Sequence, residues 1–435
     1  LVNRRGLRST LVGGVLLAAS LVWPPVAVGA TGATDSTQLR ANYDVRATLD
    51  YTAGSLAVVS LATVANVTSG PVGQLTFNLL PLRVGHAQVG TVTVARQPAA
   101  FRVADQSLIV ALPFPLHPGA TTTVSINYTA TFARTAGDKN WLFAKQAGTL
   151  TAYRWIPWLS EAVPFARPND GSPFVTAVSA NVNVVLRSNV ALRYATSGQP
   201  VSVSPDGLSQ VFAATNVRDF NFVADPAYAS LTGSVGPTTV IVVSRTLPAA
   251  SLLYWAETAL TFYEAKVGPY RYPTLTVAEI PAGTSMESPA MVWITADSVG
   301  FDLHYRVAHE IAHQWFYAMV GSNQATEPFA DEAPADFMAR TLLGAFRASR
   351  CAAQALDGTI WDYTNACYYE AIYIEGGDYL NAYSQAVGSN AVWAGLRAYY
   401  QRYLLGMGGT RALWDALDAA SGYSGGHADR FPTLY

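Results

Sequence analysis

Along the first half of the chain, polar and apolar residues alternate with a period of two. Tyr43, Val45, Ala47, Leu49 and Tyr51 interleave with Asp44, Arg46, Thr48 and Asp50. A strand turns successive side chains to opposite faces, so this pattern predicts a strand buried on one side. The same period returns at Val124, Ile126, Tyr128 and Phe132, then at Val178, Ala180, Val182 and Val184. Turn formers separate the runs, among them Pro115, Pro118 and Gly119, then Pro168, Asn169, Asp170 and Gly171. Residues 40–235 therefore predict one large antiparallel β domain, a saddle or sandwich. Inside it, Tyr153, Arg154, Trp155, Ile156, Pro157 and Trp158 form an aromatic run. Such a run fits core packing around a proline turn, and it also fits an exposed binding surface.

After Pro237 the period changes. Residues 239–243 predict a short apolar strand. Leu252, Leu253, Trp255, Ala256, Ala259, Leu260 and Tyr263 then recur at helical spacing, and Gly268 with Pro269 ends that helix. Strands follow at 275–280 and 291–295. Between them lie Gly283, Thr284, Ser285, Met286, Glu287, Ser288 and Pro289, a turn-rich segment with one carboxylate. Helices are expected over 309–320, 332–343, 370–387 and 390–405. The resulting plan is an α+β multidomain chain. An N-terminal antiparallel β domain (31–236) precedes an α+β domain with a helical C-terminal lobe (237–435).

Composition narrows the class. Half of the residues are hydrophobic and 13% are charged, which favours large buried cores over disorder. The net charge is −2, and no basic block follows the first ten residues, so nucleic acid is not an expected partner. Arg4, Arg5 and Arg8 precede an apolar run over 11–23, then Pro24, Pro25, Val28, Gly29 and Ala30. This is the order of a secretory signal peptide (1–30), with cleavage expected after Ala30. The alternative is an uncleaved membrane anchor. No later stretch is long and apolar enough to span a bilayer. Export permits a disulfide between Cys351 and Cys367, while two buried free thiols are the other reading.

The chemistry concentrates at His309, Glu310, Ile311, Ala312 and His313, an H-E-x-x-H pattern in a chain of six histidines. On a helix, residues four apart share a face, so two imidazoles can bind one Zn²⁺ while the glutamate acts on water there. The motif alone also fits a helix carrying two core or surface histidines. A catalytic zinc needs a third protein ligand. Glu332 is the candidate, with eighteen residues (314–331) between it and His313. Asp336, one turn further, is placed to hydrogen-bond a ligand imidazole, or else is a solvated helix residue. His304 reads as structural, and His86, His117 and His427 carry no signal.

These residues resemble a known family. H-E-x-x-H, eighteen residues and a glutamate are the pattern of the gluzincin metallopeptidases. The extended run through Gln314, Trp315 and Phe316 is similar to the alanyl-aminopeptidase family, the relatives of leukotriene A4 hydrolase. Gly283 to Pro289 resembles that family's Gly-x-Met-Glu-x-Pro segment. Tyr373, Ile374, Glu375 and Gly376 resemble its Tyr-x-x-Gly element. The regions around Trp155 and around Arg218, Asp219 and Phe220 are similar to its N-terminal domain, so the likeness covers about residues 40–420.

The resemblance implies a thermolysin-like catalytic domain, one Zn²⁺ per chain on His309, His313 and Glu332, and Glu310 as general base. It further implies Glu287 as the anchor for the substrate's α-amine and Tyr373 as the oxyanion donor. Peptide or protein N-termini are the implied substrates. Tyr363, Tyr368, Tyr369, Tyr379 and Tyr383 lie near Tyr373, so a packing role for Tyr373 stays open. The strand over 291–295 is expected to offer an edge to the substrate backbone. Two departures from the family are visible. Asp331, Glu332, Ala333, Pro334 and Ala335 replace Asn-Glu-Gly-Phe-Ala, with Pro334 expected in the first helical turn. The chain also ends soon after the catalytic domain, where large members carry a helical domain over the cavity. The expected function is an exported zinc aminopeptidase. A zinc endopeptidase with an open cleft, or a non-catalytic surface protein that keeps the fold, are the alternatives.

Overall fold

In a computed structural model of the chain, residues 36–161 and 175–435 are described. The expected signal peptide and the turn at Pro168 to Gly171 lie outside them. The alternating stretch at Tyr43 forms strand Arg40–Asp50, with every second residue buried. It sits inside an eight-stranded sheet, in the order Gln199–Val203, Ser209–Ala214, Ser179–Ser188, Arg40–Asp50, Ser55–Ala65, Thr121–Thr131, Gln88–Val94 and Gln97–Pro98. The sheet is antiparallel but for one pair: Arg40–Asp50 runs parallel to Ser179–Ser188. No hairpin joins these two strands, which are far apart in sequence, so connectivity does not force them antiparallel. Two four-stranded sheets pack with this one. The aromatic run is core, not surface: Tyr153, Trp155, Ile156 and Trp158 are all buried. Tyr43 stacks on Trp158 at 4.2 Å, and its hydroxyl accepts the Leu159 N–H.

The second half is built on a five-stranded sheet, in the order Ala229–Val235, Thr238–Ser244, Thr274–Ile280, Met291–Thr295 and Met286–Ser288. Helix Ala249–Lys266 connects the parallel strands Thr238–Ser244 and Thr274–Ile280. The sheet changes between Phe222–Asp225 and Ala229–Val235, so residue 237 falls in a hairpin and not between sheets. Alternation is weak in Ala229–Val235, whose residues are mostly exposed, and the pattern therefore conceals its membership.

Helices Gly300–Ala312 and Phe329–Leu343 follow, then Gly376–Val387, Ser389–Tyr403 and Thr410–Ser421. The motif helix thus starts earlier than 309 and ends at the motif. Beyond it Tyr317 takes φ 137°, and the Ala318, Met319 and Val320 amides reach back five residues. Pro334 lies inside its helix rather than in the first turn, because the helix begins at Phe329; the Ala330 carbonyl loses its helical donor there. Cys351 and Cys367 form a disulfide, which excludes the free thiols. Among the described residues no helix is long and apolar enough to cross a membrane.

Candidate metal centre

Helix Gly300–Ala312 carries His309 in its last turn and is capped by His313. Their Nε2 atoms lie 3.1 Å apart. Helix Phe329–Leu343 brings Glu332 across, with Oε2 at 3.3 Å from His309 Nε2 and 3.2 Å from His313 Nε2. A tetrahedron with metal–ligand bonds of ~2.0–2.1 Å has an edge of about 3.3 Å. Two imidazole nitrogens and one carboxylate oxygen at this spacing fit three corners of a zinc site. Glu332 Oε2 has no hydrogen-bond donor among the described residues, which leaves that lone pair for a cation.

The orientation of His313 follows from its other nitrogen. Nδ1 faces the Phe316 carbonyl at 2.9 Å and Asp331 Oδ1 at 3.3 Å. Both partners are acceptors, so the proton belongs on Nδ1 and the Nε2 lone pair points at Glu332 and His309. In the metal-free site burial disfavours charge on His313, but Asp331 and Glu332 outweigh it and raise its pKa well above the ordinary value, so a cation binding at Nε2 displaces a proton there. Glu332 moves the opposite way. Burial pushes it up, yet His313 and His309 hold it down to about 2.

Two further carboxylates face this cluster. Donor atoms of Glu287, Glu310 and His313 all lie within 4.8 Å of one another. Burial pushes Glu287 up to about 7, with His313 opposing and Asp331 and Glu332 adding to the push. Glu310 is likewise raised well above the carboxylate range, by burial first, against His313 and with Glu287 and Glu332. Four carboxylates around two imidazoles make a pocket of negative potential suited to a divalent cation.

Glu287 stands on Met286–Ser288, the outermost strand of the five-stranded sheet. That strand, not Met291–Thr295, is the edge; Met291–Thr295 is paired on both sides. Gly283 turns the chain into the edge strand at φ 104°, and a Cβ there would run into Trp141. Gln314 then clamps the hairpin. Its Oε1 accepts the Ala290 N–H at 2.9 Å and its Nε2 donates to Ser288 O at 2.8 Å.

Tyr373 belongs to Tyr369–Glu375, a π-helical stretch of the kind that often marks functional sites. Its ring stacks on His309 at 5.4 Å, and its hydroxyl donates to Glu332 Oε1 at 2.5 Å. Burial, then Glu332, holds the phenol well above its ordinary pKa, so it keeps its proton. Tyr368 and Tyr369 pack against it as neighbours. The next helix approaches Phe329–Leu343 so closely that a Cβ on Gly377 would collide with Asp336.

The structure thus brings His309, Glu310, His313, Glu332, Glu287 and Tyr373 together. Asp336 does not hydrogen-bond a ligand imidazole. It accepts from Tyr305 at 2.5 Å and from Arg340 at 2.6 Å, and His309 Nδ1 has no partner among the described residues. The carboxylate that orients a ligand is Asp331. Gln324 is a second residue that the sequence did not single out. Its Nε2 donates to Asp331 Oδ2 at 2.7 Å and to Glu287 Oε1 at 3.2 Å. It lies in the connection between two helices, where no periodic signature marks it.

No family model matches the sequence, and no curated protein matches it. Solved structures do match. An M1 zinc metallopeptidase from Deinococcus radiodurans superposes with a TM-score of 0.67 at 18% identity, covering 91% of this chain and 93% of that one. A mutant of an M1 zinc metallopeptidase from the same organism, bound to a Tyr-Ser-Ala substrate, gives 0.66 at 18% identity, covering 89% and 92%. A two-domain M1 zinc metallopeptidase mutant bound to L-tryptophan gives 0.66 at 18% identity, covering 88% and 91%. With these lengths matched almost throughout, the chain has the fold of the M1 zinc metallopeptidases.

Proposed function

We propose that the chain is a zinc-dependent aminopeptidase that hydrolyses the first peptide bond of a substrate with a free amino terminus. The observation that carries this reading is the convergence of His309, His313 and Glu332 at 3.1–3.3 Å, with Glu310, Glu287 and Tyr373 facing them. The fold likeness to a metallopeptidase bound to Tyr-Ser-Ala supports a peptide as substrate.

His309, His313 and Glu332 would hold the ion. When bound, zinc supplies Lewis acidity, polarising the scissile carbonyl and acidifying a water. Glu310 takes the proton from the attacking water and passes it to the departing amine; burial raises its pKa, which strengthens it as a base. Tyr373 offers its phenolic proton to the oxygen that gains charge, exchanging Glu332 for the substrate. Glu287 pairs with the α-ammonium, which places the first peptide bond between Glu310 and Tyr373. Among the described residues Met286–Ser288 has no strand on its outer side, which is where the backbone of an extended peptide would lie.

We further propose that the protein acts outside the cytoplasm. The basic-then-apolar N-terminus and the Cys351–Cys367 disulfide support export. Amino-terminal sequencing of the mature protein, expected to begin after Ala30, tests it.

The test of the activity is hydrolysis of matched peptides with free and N-acetylated amino termini, with and without chelator. Chelator-sensitive release of amino-terminal residues from the free peptide alone is the expected outcome. Equal cleavage of both peptides would identify an endopeptidase, and no zinc with no cleavage would identify a non-catalytic protein.

A further inference from the structure

Glu287 reaches the site on a flexible side chain from a three-residue edge strand. Among the described residues, one side chain donates a hydrogen bond to its carboxylate: Gln324. The same amide nitrogen donates to Asp331, which orients His313. The amide oxygen of Gln324 accepts from Arg154 Nη2 at 3.4 Å, and Arg154 lies in the β domain. This arrangement leaves no freedom in the amide. Carboxylates only accept and a guanidinium only donates, so nitrogen must face Glu287 and Asp331 while oxygen faces Arg154.

The backbone around Gln324 is fixed independently of the site. Gly321 N–H donates to Gly406 O at 3.1 Å and Gly408 N–H to Gly321 O at 2.7 Å. On the other side Ala325 O accepts from Ile360 N–H at 3.0 Å. Asn323 Oδ1 accepts the Ala325 and Thr326 amides. Arg154 is held in turn: it lies against Asp219 at 3.5 Å, and Asp219 accepts the Tyr317 hydroxyl at 2.5 Å. Gln324 is therefore anchored by contacts outside the site, and its amide reaches the Glu287 carboxylate from that fixed backbone.

We infer that Gln324 is a positioning residue that fixes the Glu287 carboxylate for the substrate's α-ammonium, and so sets the preference for free amino termini. The inference rests on the aminopeptidase reading above. A neutral amide is suited to this role because it holds two carboxylates near one another without adding charge. It also leaves the second Glu287 oxygen for the incoming ammonium.

The experiment compares the wild type with Gln324→Met, which keeps length and loses both polar groups, and Gln324→Asn, which withdraws the amide by one methylene. Substrates are L-alanyl and L-leucyl p-nitroanilides and matched free and N-acetylated tripeptides; zinc content is measured on each protein. Gln324→Met should raise KM for free-amine substrates about tenfold or more and leave kcat within about threefold. Zinc should stay at one per chain, and Gln324→Asn should fall between the two proteins. A free-amine preference in the wild type that both variants retain at unchanged KM overturns the inference while leaving Glu287 as anchor. Loss of zinc, or an equal fall on free and blocked peptides, also overturns it and makes Gln324 a structural support. A wild type that cleaves free and blocked peptides alike removes the anchor itself, and this inference with it.

Discussion

Asp331→Asn is the sharpest probe of the metal centre. The carboxylate lies 3.3 Å from His313 Nδ1, which also has the Phe316 carbonyl at 2.9 Å. The carbonyl keeps the tautomer and the ring in place after the substitution, so what is lost is mainly the charge. A hydrogen bond to a charged group contributes ~1.5–3 kcal/mol, and a long, shared one belongs at the low end. About 1.5 kcal/mol corresponds to a roughly tenfold weaker zinc affinity, the lower end of what orienting partners contribute. The new amide is also frustrated: with its oxygen toward His313, its nitrogen faces the Gln324 nitrogen, donor against donor. The metal-free protein should respond differently. Burial, with Glu332 adding to it, raises the Asp331 pKa, so the fold works against that charge; its removal offsets the donor–donor contact, and the apoprotein melting temperature should change little. The assay pairs competition against a chromophoric zinc chelator with thermal unfolding of the apoprotein. An unchanged zinc affinity would refute the orienting role. A fall in both quantities would make Asp331 a packing residue.

Glu310→Gln should keep its zinc and lose kcat by a factor of roughly 10²–10⁴, measured by peptide hydrolysis beside metal analysis. Tyr373→Phe should lower kcat by on the order of 10²–10³ with KM little changed, since the hydroxyl meets charge that develops only during reaction; a shift confined to KM would contradict this. Removing the bridge by Cys351→Ser with Cys367→Ser should cost about 3 kcal/mol in denaturant unfolding of the zinc-loaded protein, from the entropy of a closed loop of this size. Chelation should abolish hydrolysis, and added Zn²⁺ should restore it; activity that survives complete metal removal would rule out the proposed chemistry.

The parts of the molecule readable in advance are those that repeat or sit close in sequence. Tyr43, Val45, Ala47 and Leu49 share one buried face because strand geometry imposes a period of two. His309 and His313 share a helix turn, and Glu332 follows on the next helix. What could not be read depends on contacts without local pattern. Asp331 and Asp336 lie on one helix five residues apart, and only packing decides that Asp331 meets His313 while Asp336 meets Tyr305 and Arg340. Arg154 and Gln324 are 170 residues apart, beyond the reach of any periodicity. The edge strand Met286–Ser288 was hidden by its turn-like composition. Its pairing becomes visible only through Met291–Thr295 beside it.

The parallel pairing of Arg40–Asp50 with Ser179–Ser188 constrains how the chain is made. Asn42 and Asn181 are neighbours across that pair, yet 139 residues separate them. At synthesis rates of roughly 5–20 residues per second, one side of the first strand waits on the order of ten seconds for its partner. Through that interval it presents an unpaired row of amides and carbonyls beside an apolar face. Holding the nascent chain until residue 188 has emerged would protect a strand that the finished protein keeps in the middle of its eight-stranded sheet.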